Sequence, residues 1–118
     1  MSDCPILFNA ETKDLDQPLG LSENGKLIHQ VIVKYLHEHK LTFTGGCRAF
    51  YAPKEWEALG EKYGRGSELI VIYDGGEVRE AFDSEYKFDH EEGLRKKLNE
   101  IGYYAERCTG WYSAVYEG

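Results

Sequence analysis

The sequence predicts an α+β fold: a mostly antiparallel sheet of four to five strands with about three helices packed mainly on one face. Three observations predict it. Apolar residues recur at helical spacing in three separate segments, each with a start or stop signal. Between these segments lie short runs rich in Tyr, Val and Ile, bounded by Gly and Asp. Strand runs also follow one another with only a turn between them, which suits antiparallel neighbours.

Residues 1–22 read as an irregular N-terminal arm or edge strand, and 23–118 as a single α+β domain. "CPILF" can form a short strand, while "NAETKDLDQPLG" is polar and broken by Pro18 and Gly20. Ser22 can cap a helix from about Glu23 to Lys40. Its stripe is Ile28, Val31, Ile32, Tyr35, Leu36 and His39. "GCRAFYA" reads as a strand. Pro53 suits the first position of a second helix, about Pro53 to Tyr63, with Gly64 as its stop.

"SELIVIYDGG" follows. Leu69 to Tyr73 is apolar without alternation, as in a central strand covered on both faces. Asp74-Gly75-Gly76 predicts a tight hairpin, with Val78 to Phe82 as the return strand. A third helix starts near Asp89, where Asp89 and Glu92 fit a capping box. Leu94, Leu98 and Ile101 form its buried stripe, and Gly102 ends it. "YYAERC" and "WYSAVY" are the last two strands.

"TGGCRAFY" (Thr44 to Tyr51) and "TGWYSAVY" (Thr109 to Tyr116) rhyme. A duplication would carry its flanks along. Laying Thr109 on Thr44 instead sets Tyr35 against Glu100 and Leu41 against Glu106, which breaks the core pattern. The rhyme reads as one way of turning the chain into an aromatic strand, written twice.

The formal charge is −7. Such a balance repels phosphate backbones, which argues against nucleic acid as a partner; a direct nucleic-acid binder, the further alternative, would rely on Arg95, Lys96 and Lys97, the one compact basic cluster. Cys4, Cys47 and Cys108 are an odd, widely spaced set, so a reducing cytoplasm is the expected compartment. No secretory signal and no membrane-spanning run is visible.

No motif names a chemistry, and no cofactor, metal site or catalytic residue is assigned. His37 and His39 in "HEH" lie about 200° apart around a helix, so they cannot share an ion. Cys47 follows two glycines without a nearby His. "TGG" and "DGG" lack the P-loop spacing. A small enzyme or ligand-binding domain would place Cys47, Asp74 and Tyr104 in a pocket between sheet and helices.

Aromatic content carries the stronger expectation. The chain holds nine Tyr, five Phe and two Trp. In the last two strands alternation sends Tyr103 to one side and Tyr104 to the other, and parts Trp111 and Val115 from Tyr112 and Tyr116. Both sheet faces therefore carry rings. An uncovered face would resemble an interface hot spot.

The expected function is that of a small acidic binding protein. Tyr104, Glu106, Tyr112 and Tyr116 would anchor another protein, and Glu77, Glu80, Asp83 and Glu85 would steer it. In size and charge alone the chain resembles small acidic phage or mobile-element inhibitors of nucleic-acid-handling machinery. Self-association through the last strand, as a free sheet edge, is a related expectation.

Overall fold

Ser22 begins the first helix twice over. Its Oγ accepts from the Gly25 amide at 3.0 Å, capping the first turn. The same hydroxyl donates to Glu68 Oε1 at 2.6 Å, tying the helix start to the residue that precedes a central strand. The computed structural model describes residues 15–18, 20–41, 48–60, 66–73, 77–82, 90–109 and 112–118. In chain order these give α1 (Glu23–Glu38), β1 (Phe50–Tyr51), α2 (Pro53–Ala58) and β2 (Leu69–Ile72). A 3-10 helix (Glu77–Ala81), α3 (His90–Glu100), β3 (Tyr103–Arg107) and β4 (Tyr112–Glu117) follow. The fold is α+β, as the sequence predicts.

The four strands form one antiparallel sheet in the order β1-β2-β4-β3. Leu69 sits opposite Val115, and Ala105 lies on the other side of Val115. Alternation then sorts the side chains. Phe50, Leu69, Val71, Tyr73, Tyr103 and Val115 face α1 and α3 and join the larger core. Tyr51, Ile70, Ile72, Tyr112 and Ala114 face the other way, into a smaller core that includes Trp56 of α2. We call these the helix face and the tryptophan face. All four residues of β2 are buried, as a strand covered on both sides requires.

The helices meet the sheet through close approaches. A Cβ on Gly25 would stand 2.6 Å from the Glu68 carbonyl oxygen, so only glycine lets α1 come this near. Gly93 likewise leaves room for the Tyr35 ring, whose hydroxyl donates to the His90 carbonyl at 2.7 Å and locks α1 to α3. His29 is buried. Its Nε2–H donates to the Leu15 carbonyl at 2.8 Å, and its ring meets Phe50 edge-on at 4.6 Å. That bond holds residues 15–18 against the domain, where Leu15 and Pro18 are buried. His39, expected in the stripe, is exposed.

Two elements differ from the sequence reading. The predicted return strand Val78 to Phe82 is helical: Glu77–Ala81 form a 3-10 turn. A strand there would point Val78, Glu80 and Phe82 to one side, putting an acid among apolar neighbours. The helical turn instead buries Val78, Ala81 and Phe82. Both edges of β2 are also taken already, by β1 and β4. The predicted Asp74-Gly75-Gly76 hairpin lies outside the described residues. The second helix is shorter than expected, because Gly60 at φ +88° stops it before Gly64 is reached.

The last strand is not an edge. β4 lies between β2 and β3, so among the described strands β3 is the long edge of the sheet. The expectation that the last strand is a free edge is thus corrected: both sides of β4 are paired, so it has no edge to offer a second copy. The sequence rhyme has a simple basis: Phe50 and the matching Val115 face the helices, while Tyr51 and the matching Tyr116 face the tryptophan side.

Candidate functional site

The tryptophan face is covered at one end and open at the other. Pro53 starts α2 where its missing amide does no harm, and Glu55 Oε1 accepts from the Ala52 amide at 2.9 Å. This places Trp56 over the sheet, with its ring 5.0 Å from Tyr51 and 5.0 Å from Tyr112. Arg48 pairs with Glu55 and stacks 4.0 Å above the Tyr51 ring, closing that end.

Farther along the same face, Tyr104 of β3 stacks on Tyr116 of β4 at 5.7 Å, with the rings 29° apart. The two residues are direct cross-strand partners. Tyr104 is 39% exposed and Tyr116 half-buried, and the exposed Glu106 stands two residues along β3 on the same face. Other exposed large apolar side chains among the described residues are Leu27 and Leu59, and neither is in a described ring contact.

The edge beside this patch presents backbone as well. Gly118 N donates to Gly102 O at 2.9 Å, and Cys108 N to Tyr112 O at 3.1 Å. These bonds fix the even-numbered residues of β3 as the ones bonded to β4. The amides and carbonyls of Tyr103, Ala105 and Arg107 therefore point outward, and no described strand pairs with them.

The structure divides the predicted interface residues. Tyr104, Tyr116 and Glu106 share one accessible patch. Tyr112 does not: it is fully buried beneath Trp56, so it is a core residue and offers nothing to a partner. Its sequence position gave the right face but not the cover, because α2 docks from elsewhere in the chain. Glu77 and Glu80 lie on the 3-10 helix, whose acidic side chains are not among those described. Asp83 and Glu85 lie outside the described residues.

Of the alternative pocket residues, Cys47 and Asp74 also lie outside the described residues. Tyr104 is on the face away from α1 and α3, so it cannot line a pocket between them and the sheet. The thiol of Cys108 is half-buried; burial, and then the Glu106 charge, push its pKa up, so it is a poor nucleophile.

On the helix face, a cavity of about 60 Å³ lies between the 3-10 helix, α3 and the sheet. Ser113, Arg95, Arg107 and Glu91 supply its polar lining. Behind it the Tyr73 and Ser113 hydroxyls share a buried hydrogen bond of 2.8 Å. Burial raises the Tyr73 pKa, while the Ser113 hydrogen bond and the Arg107 and Arg79 charges pull it back. Sequence reasoning missed this grouping, since its members come from four elements and no spacing links them.

The histidines also meet unexpectedly. His39, at the C-terminal cap of α1, and His90, the first residue of α3, bring their rings to 5.2 Å. Among the described residues no group of three His, Cys, Asp or Glu gathers to hold a metal ion. No helix among them is long and apolar enough to cross a membrane. Compared with known proteins, the chain matches no family model, no curated protein and no solved structure.

Proposed function

We propose that this chain acts by binding another protein through the open end of its tryptophan face. The observation that carries the reading is the exposed Tyr104–Tyr116 stack on an edge strand, flanked by Glu106. Tyr rings give large contact area at low entropic cost and are common at binding hot spots. Their faces also attract guanidinium and ammonium groups, and Glu106 adds a carboxylate within the same patch. The recognised surface is therefore basic, as that of a nucleic-acid-handling protein is. The charge of −7 and the acidic stretch from Glu77 to Glu92 draw such a partner in. The outward amides and carbonyls of β3 can pair with an extended segment of the partner. An inhibitor of that machinery, working in a reducing cytoplasm, fits these properties.

Comparative capture tests the reading. Wild-type protein and a Tyr104→Ala/Tyr116→Ala/Glu106→Lys variant are used as baits in lysate of the native host. A basic protein retained by the wild type and lost with the folded variant supports the proposal. An unchanged set of captured proteins refutes it. Capture of a second copy of the chain alone would assign the edge to self-association instead.

A further inference from the structure

We infer that the cavity between the 3-10 helix, α3 and the sheet binds a small oxyanion that still carries a proton, of the hydrogen phosphate class. Three features of the helix face lead there, and none depends on the protein-binding patch of the opposite face.

The first is a donor with nowhere to go. The Tyr73 and Ser113 hydroxyls carry two protons and share one hydrogen bond. The second O–H has no acceptor among the described residues. Ser113 is only 1% exposed and lines the cavity. A buried donor left unmatched is costly, so an acceptor inside the cavity completes it.

The second is charge. In a chain of net charge −7, two guanidinium groups line this one small space: Arg95 from α3 and Arg107 from β3. Arg79 is close enough for its charge, like that of Arg107, to act on Tyr73. Among the described residues no ion pair is formed by Arg95, although Glu91 lies one helical turn before it and lines the same cavity. Planar guanidinium groups suit the bidentate recognition of an oxyanion.

The third is Glu91 itself. An ionised carboxylate only accepts hydrogen bonds. It repels an anion without protons, yet it can accept from one that keeps an O–H. Inorganic phosphate retains an O–H at neutral pH; sulfate does not. Glu91 thus selects phosphate over sulfate. Space is adequate, since about 60 Å³ is several times the roughly 10–15 Å³ that admits one water.

Titration calorimetry and thermal shift at fixed ionic strength test this, with inorganic phosphate, glycerol phosphate and sulfate as probes. Saturable binding of phosphate is expected, with sulfate at least about tenfold weaker. Arg95→Gln, an exposed change on α3, should weaken phosphate about tenfold. Glu91→Gln should narrow the gap between phosphate and sulfate. Glycerol phosphate, a monoester that is mostly a dianion without an O–H on phosphorus at neutral pH, should bind more weakly than inorganic phosphate, and tighter binding would overturn the proposal. Absence of saturable phosphate binding, equal binding of sulfate by the wild type, or no effect of Arg95→Gln would each overturn the proposal.

Discussion

The two faces of this sheet are built from the same strands by the same alternation, yet they are finished differently. The helix face is roofed by α1 and α3, whose apolar stripes bury Ile28, Ile32, Leu36, Leu94 and Leu98. Among the described residues, the tryptophan face is roofed by one short helix. Trp56 covers Tyr51 and Tyr112, and then the cover stops, leaving Tyr104 and Tyr116 in view. A complete roof makes a core; an incomplete one makes a core and a surface from a single row of rings.

Trp56→Ala tests this contrast hardest. If that side chain is the keystone of the second core, its loss should cost about 3–5 kcal/mol in chemical denaturation. Tyr112→Ala should cost a similar amount, because its ring packs against Trp56. A loss under about 1 kcal/mol for Trp56→Ala would mean the tryptophan face is not a true core.

Gly25→Ala probes the roof of the other face. The added Cβ meets a backbone oxygen that cannot rotate away, so α1 must shift. A destabilisation of about 1–3 kcal/mol is expected, whereas the same change in an ordinary helix interior would be favourable. Measured stabilisation would show that α1 can move freely.

A pH titration should separate the faces next. Burial holds the His29 imidazole below its ordinary value of 6.5, so it is neutral in the fold and its Nε2–H is bonded to Leu15. Below pH 6.5 the unfolded chain binds a proton that the folded chain resists. Stability from this group is therefore complete above pH 6.5 and falls as the pH drops from there towards the lower folded value. His29→Gln should flatten the stability profile over that window; an unchanged slope would place its origin elsewhere.

The smallest effect is expected at the open end. Tyr104→Ala should cost no more than about 1 kcal/mol, the range of a cross-strand aromatic pair, since the ring is partly exposed. It should nevertheless abolish capture of the partner. A large stability loss there would mean that the patch is structural.

Much of this layout was legible in the chain. Ser22 marks the start of α1, Pro53 that of α2, and the unbroken run from Leu69 gives the strand covered on both sides. Alternation correctly split Tyr103 from Tyr104 and Val115 from Tyr116. The errors came where a residue's setting depends on distant elements. Val78 to Phe82 has strand-like composition, but both edges of β2, along which it would return, are taken by β1 and β4. His29, a polar residue by type, is buried because residues 15–18 pack over it, which no local pattern signals.

What the sequence alone determined is periodicity: which residues share a helix side or a sheet face, and where turns must fall. That information is local, since backbone geometry ties side-chain direction to position along the element. Tertiary structure alone decided which face is roofed and how far. It buried Tyr112 but not Tyr104, and it brought Arg95, Arg107 and Ser113 around one cavity. Neither outcome has a local signal, because burial depends on contacts between segments far apart in the chain.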